Sequence, residues 1–481
     1  MLSLNKKRIE LRIGIVYLDS SDYEGDKYKI AEMGFKSISK FAEEKNVSLK
    51  IFDRKIRTIE DASIVVQQVE KEKIDFLILL IGTFPNGEVL LPILSKSLRM
   101  GLWSVPEPKY NGRLSLNSLL GTELAISTSK EFLNRTMPIK YFLGWLDNPE
   151  VRKRFEITFK ALKGLKSVEN SKIGLLIGQA PGFYDLEVNR KELKKLLNIE
   201  IIDINYKFIK EIINNLNENK INERIDIIKS ISPYKAGEEE IKKAAQIDLS
   251  IQKILDIYNL DAAAICCFTE ILSDFGAAPC SSIARLTQEG TPIACESDIL
   301  GAIDMLILKE VSEFTPALMD LIAMDEKDES VCLWHCGAAS PNLTDKACEL
   351  RNIWWGNDPE ERTDNKNIGA IYDLKLSEGD YTIFHSMSNG KKTFIASGNV
   401  IPKKDIWTGG GGWFGNLSIG KRSVSAKDFI NSVIVQGVPH HFGIARGDLK
   451  EELLELVAWK GIKVIPAIPY SNYLINLNTE Y

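Results

Sequence analysis

The chain has 481 residues, of which 44% are hydrophobic and 26% charged, and a formal net charge of -5. That length exceeds what one hydrophobic core holds and predicts two or three domains. The ordinary composition and mildly acidic balance exclude a disordered chain and leave no electrostatic footprint for nucleic acid or an anionic membrane.

The first apolar run follows Lys6, Lys7 and Arg8. It is strand-length and lacks the small-residue cleavage site of a secretory signal. Arg12–Leu18 reads as a strand, Lys27–Lys45 as a helix, and Ser48–Asp53, Ile74–Thr83 and Gly101–Val105 as further strands. Apolar strands separated by helices imply a parallel sheet covered on both faces. The pattern then recurs: KIGLLIG at Lys172–Gly178 echoes RIGIVYL, DAAAICCFT at Asp261–Thr269 echoes DFLILLIGT, and Gly290–Cys295 echoes Gly101–Val105. The expected architecture is α/β, with two tandem doubly wound, Rossmann-like domains over residues 1–168 and 169–312. Asn214–Lys229 reads as a solvated helix face. Beyond residue 313, Asn367–Val400 alternates polar and apolar positions between turn signals, which predicts a C-terminal β-barrel domain over residues 313–481. A helix from Asp448 to Lys460, stopped by Gly461, and a strand at Ile462–Pro466 close the chain. No apolar stretch reaches the ~18 residues that span a bilayer. The seven cysteines, an odd number clustered between Cys266 and Cys348, do not fit a disulfide scaffold, so a cytoplasmic location is expected.

Candidate chemistry concentrates late in the chain. All four histidines, His335, His385, His440 and His441, fall in the third domain. A lone histidine on a strand is commonly a hydrogen-bonded structural residue. The adjacent pair in GVPHHFG reads as a loop, where binding residues concentrate. Glu296, in ACESD, stands at the carboxyl end of a predicted strand, where open α/β sheets bind ligands. Its alternative is to complement a helix dipole beside an N-cap at Ser297 or Asp298. Asp320 opens the β-rich region and, taken alone, reads as a surface acid. Carboxylates mixed with imidazole suit Mn²⁺ or Mg²⁺ better than structural zinc. Cys332-x-x-His335-Cys336 lacks a second pair at zinc-finger spacing, and buried thiols explain it better. No GxGxxG or Walker motif follows the first strand of either α/β domain. The run Gly409–Gly412 lies between predicted strands, as a lip over a site or a bulge-rich turn. Trp407 and Trp413 beside it offer a sugar-stacking surface or core packing.

The segment GVPHHFGIARGDLKEELLELVAWKGIKVIP resembles the C-terminal signature of the L-fucose and L-arabinose isomerases. TPIACESDILGAIDMLIL resembles their acidic ligand segment, and LWHCGAAS the arabinose-branch segment that supplies a histidine. The resemblance is specific over roughly 290–340 and 436–466. It implies an aldose–ketose isomerase in which Glu296, Asp320 and His441 hold a metal, with His335 as a further ligand. His440, together with Trp413, would bind the sugar. Glu296 and Asp320 would act as the acid/base pair through a cis-enediolate. Mn²⁺ is the implied cofactor, with Mg²⁺ or Co²⁺ as substitutes. A homotrimer or homohexamer with sites between subunits is the implied assembly. An aspartate as second acid matches the fucose branch, while the double histidine and His335 match the arabinose branch, so the substrate does not transfer. A non-catalytic sugar-binding or regulatory protein, or a metal-dependent epimerase or lyase, would use the same scaffold. Arg446 is a candidate contact for an acidic group on the substrate, or an ion-pair partner.

Overall fold

The computed structural model describes residues 9–352, 369–402, 404–472 and 474. Lys6, Lys7, Arg8 and the Asn367–Ile368 start of the alternating stretch lie outside them. The chain divides into two compact units. One holds the described residues up to Lys163 together with Ala458–Lys460, the other Gly164–Val457 and the described residues from Gly461 onward.

The first unit is built on β1 (Arg12–Leu18), β2 (Ser48–Ile56), β3 (Phe76–Ile81), β4 (Arg99–Ser104) and β5 (Ile139–Leu143). All pair in parallel, in the order β2-β1-β3-β4-β5. β3 reads FLILLI and is buried at every position, as a central strand covered on both faces requires. Helices make the crossovers. The one over Ile59–Lys71 starts at a capping box in which Thr58 accepts from Asp61 N at 3.2 Å and Asp61 accepts from Thr58 N at 3.2 Å. Sequence periodicity missed β5. It is an edge strand buried only at Phe142, and its exposed positions dilute the apolar signal.

The second unit starts with the same plan. β6 (Lys172–Leu176), β7 (Glu200–Ile204), β8 (Ala262–Ile265) and β9 (Ile293–Ala294) form a parallel sheet in the order β7-β6-β8-β9. The three echoing pairs of segments thus occupy equivalent strands, β1 with β6, β3 with β8 and β4 with β9. β7 went unread for the same reason as β5, because it lies at an edge and buries only Ile204. The Asn214–Lys229 stretch is not simply a solvated face. Its helix, Glu218–Ile231, buries Ile221, Arg224 and Ile228, and Arg224 meets the fully buried Asp248.

The rest of this unit is a mixed sheet. Its strands are β10 (Ala317–Asp325), β11 (Ser330–His335), β12 (Cys348–Asn352), β13 (Ala370–Lys375), β14 (Gly379–Met387), β15 (Lys392–Val400), β16 (Gly410–Ile419), β17 (Arg422–Ser423), β18 (His441–Arg446) and β19 (Lys463–Val464). They follow the order β12-β13-β16-β11-β10-β18-β14-β15-β19, and β15 also pairs with β16. The pairings β16-β11-β10-β18-β14-β15 therefore return to their start. Their apolar positions share one core that includes Met319, Leu333, Ile383, Phe394, Phe414 and Phe442. Among the described residues no helix is long and apolar enough to cross a membrane. All seven cysteines are free thiols.

Candidate metal and sugar site

The second parallel sheet delivers Glu296. Directly after β9 the chain makes two consecutive left-handed residues, Glu296 (φ 52°) and Ser297 (φ 60°). Each such non-glycine residue costs about 1–2 kcal/mol, so surrounding bonds must hold it. Ser297 supplies them: its N–H donates to Ile265 O at 3.1 Å and its Oγ to Gly178 O at 2.7 Å. The turn is thereby pinned to the carboxyl ends of β8 and β6. Asp298 then caps the helix Ile299–Ser312, accepting from Gly301 N at 2.8 Å. The N-cap foreseen from sequence is Asp298. Glu296 does more than sit beside a helix end, because its carboxylate faces two histidine nitrogens, His440 Nε2 and His441 Nε2.

The mixed sheet delivers the rest. Antiparallel pairing sets Asp320 on β10 opposite His441 on β18, and opposite Trp334, the neighbour of His335, on β11. Side chains of directly opposed residues share a face about 5 Å apart, which brings Asp320 to His441; His335, the last residue of β11, also has a ligand atom close to both. His440 precedes β18 in the loop expected from sequence, but His441 is the first residue of the strand. Ladder bonds fix its backbone, and its ring is fully buried.

His441 Nδ1 lies 3.0 Å from Asp298 Oδ2, and its Nε2 lies 3.4 Å from both Glu296 Oε2 and Asp320 Oδ1. His440 Nε2 is 3.2 Å from the same Glu296 oxygen, and its Nδ1 is 2.8 Å from Asp185 Oδ2. The rings of His440 and His441 are 4.3 Å apart, those of His335 and His441 5.8 Å, and Phe183 packs 5.4 Å from His440. Burial alone would raise the Glu296 carboxyl, but the His440 hydrogen bond and the nearby His441 and His335 outweigh it and hold the group below its usual range. Burial likewise opposes a charge on His440, and its bonds to Glu296 and Asp185 prevail, lifting it to about 9. Asp185 and Asp298 are the partners that sequence reading missed or saw only as a cap. Asp185 stands 255 residues before His440, and its only signal was a loop at the carboxyl end of β6.

Asp320 Oδ1, His335 Nε2 and His441 Nε2 are buried polar atoms with no hydrogen-bond partner. One ligand atom from each of Asp320, His335 and His441 lies within 4.8 Å of the others, as do ligand atoms of Glu296, His440 and His441. Buried polar atoms in native proteins are nearly always satisfied, so two overlapping triads of this kind fit a cation. The carboxylate-bound Nδ1 of His441 leaves its Nε2 lone pair free, as ligation demands. His335 fits less well. Its Nδ1 accepts from Cys336 N at 2.9 Å, so a proton stays on Nε2.

The remaining candidates make their contacts elsewhere. Trp413 donates to Asp405 O at 2.9 Å, lies 6.2 Å from the Trp407 ring and carries Lys404 Nζ 3.8 Å above its face. None of these groups belongs to the acid–histidine cluster. Arg446 closes the far end of β18 and donates to Glu378 O at 3.4 Å. Gly410–Gly412 are not a lip or turn between strands but the first residues of β16, packed on β11. A Cβ on Gly411 would collide with Leu333 O and lie 2.8 Å from Trp334 Cα. Gly411→Ala is therefore expected to pry β16 from β11 beside His335 and to cost about 1–3 kcal/mol, read as a lowered thermal midpoint.

Comparison with known proteins assigns the class: the chain is an aldose–ketose sugar isomerase. Sulfoquinovose isomerase of Priestia aryabhattai is 30% identical over 407 residues, 83% of this chain and 87% of the relative. The enzymes of the same name from Alkalicoccus urumqiensis and Clostridium sp. (strain MSTE9) are 26% and 24% identical. They align with 78% and 74% of this chain and with 82% and 77% of their own lengths. The chain belongs to the sulfoquinovose isomerase family. No family model matches it.

Proposed function

We propose that the protein interconverts sulfoquinovose, an aldohexose bearing a sulfonate, and the corresponding ketose, with a divalent cation at the acid–histidine cluster. The observation that carries this reading is the convergence of Glu296 Oε2 and the partnerless Asp320 Oδ1 on His441 Nε2. Glu296, Asp320 and His441 hold the ion, Mn²⁺ by the chemistry of the donors, with Mg²⁺ or Co²⁺ as substitutes. When bound, it supplies Lewis-acid polarisation of two adjacent sugar oxygens. Glu296 and Asp320 divide the proton work: one carboxylate takes the C2 proton, and a carboxylic acid returns a proton to C1 of the enediol. His440, tethered by Asp185 and Glu296, faces the sugar hydroxyls. His335, with its proton on Nε2, is placed to donate to a substrate oxygen, or to join the ligands in its other tautomer. The strand cycle of the mixed sheet is read as the β-barrel that carries Asp320 and His441.

A sulfonate calls for cationic or N–H partners. The segments 177–185, 266–279, 295–298, 336–340 and 438–441 around the cluster contain no lysine or arginine. Cations arriving from another subunit would meet that need, which favours a homotrimer or homohexamer with shared sites. The test is ketose formation by chelator-stripped protein, with and without Mn²⁺, on sulfoquinovose and on glucose. The expected result is Mn²⁺-dependent turnover of sulfoquinovose, with stripping lowering the rate at least a hundredfold. Undiminished turnover after stripping overturns the metal, and a preference for glucose overturns the substrate.

A further inference from the structure

We propose that Asp298 is a positioning residue for His441: it holds the ring proton on Nδ1 and so turns the Nε2 lone pair toward Glu296 and Asp320. The inference rests on reading His441 as an ion ligand. A carboxylate only accepts hydrogen bonds, so the nitrogen 3.0 Å from Asp298 Oδ2 must carry a hydrogen. The other oxygen, Oδ1, accepts from Gly301 N at 2.8 Å. Capping the helix needs one oxygen, and serine or asparagine would cap as well. The second oxygen is committed to the imidazole.

The geometry makes Glu-Ser-Asp one device. The left-handed pair Glu296 and Ser297 reverses the chain so that the first acid meets Nε2 of His441 and the second meets Nδ1. Ser297, bonded to Gly178 and Ile265, fixes the spacing between them. Asp298 is fully buried and heads a helix buried along most of its length, so it has no room to turn away. Asp298 holds the imidazole through Nδ1 before any ion arrives, and the direction of its lone pair is set by the helix rather than by the ion.

Two variants separate capping from positioning. Asp298→Ser keeps a capping oxygen and removes the imidazole acceptor. Asp298→Asn keeps the shape, but with its oxygen on Gly301 N it presents an amide donor to Nδ1, which drives the proton to Nε2. In Mn²⁺ titrations of stripped protein followed by electron paramagnetic resonance, both are expected to bind about 10–100-fold more weakly than the parent, with Asp298→Asn the weaker. With only four histidines, ¹⁵N-histidine labelling reads the tautomer of the metal-free protein directly. His441 is expected as Nδ1–H in the parent and Nε2–H in Asp298→Asn. An Nε2–H tautomer in the parent overturns the proposal, as does Mn²⁺ affinity within threefold of the parent in both variants. A parent that binds no Mn²⁺ sinks the metal reading alone, since the tautomer still decides the role of Asp298.

Discussion

Glu296→Gln is expected to abolish turnover while the protein stays folded. The substitution keeps the side chain's shape and leaves an amide oxygen for His440, which lies 3.2 Å from Glu296 Oε2. On the proposed mechanism it removes the negative charge of a metal ligand and the basic oxygen that carries a proton. General acid–base catalysis alone is worth about 10²–10⁴ in rate, and the lost ligand adds to it, so kcat should fall at least about 10³-fold. The strained backbone at 296 accepts glutamine as it does glutamate, so the thermal midpoint should move by no more than about 3 °C. Steady-state kinetics with the unfolding midpoint checks both. Activity within tenfold of the parent removes Glu296 from the chemistry.

The second large effect falls on stability. Asp248 on the helix Glu238–Tyr258 is fully buried and grips two buried arginines, Arg285 through both its Nε and Nη2, and Arg224. Burial disfavours the charge on either guanidinium and lowers both, Arg224 to about 10. Asp248→Ala would leave Arg224 buried without its anion and Arg285 with Glu289 alone, a change that costs about 3–5 kcal/mol. The cost reaches the site, because Arg285 lies on the helix Cys280–Gln288 that leads into β9 and Glu296. A marked fall in the denaturant midpoint is expected, with part of the protein lost to aggregation. A shift under 1 kcal/mol would show that the cluster balances its own desolvation and stabilises nothing.

Much of this was legible in the sequence because the signals were local. Central strands such as β3 are apolar throughout, and the repeat of β1 and β3 in β6 and β8 survives as similar strings. The acids and histidines stood out by type and by place, with Glu296 at a strand end and an adjacent histidine pair in a chain that has only four histidines. What escaped depends on distance. β5 and β7 are edges whose exposed positions hide their period. Asp185 and Asp298 acquire roles only when the loop after β6 and the cap of the helix Ile299–Ser312 are carried to histidines far along the chain. Arg224 read as part of a solvated helix because its anion lies on another helix. The glycines of β16 are explained by the backbone of β11, which local spacing does not reveal.

Glu296 and His440 touch, yet 144 residues separate them. A ribosome adding roughly 5–20 residues per second needs on the order of ten to thirty seconds to cover that interval. Through it the nascent chain already displays the acid turn while both late histidines are unmade. Mn²⁺ meeting the chain then finds carboxylates without His440 and His441, and at most a weak, exchanging hold. On the proposed metal reading, the order of synthesis thus defers secure capture of the ion to nearly finished chains, in which β18 has taken its place beside β10.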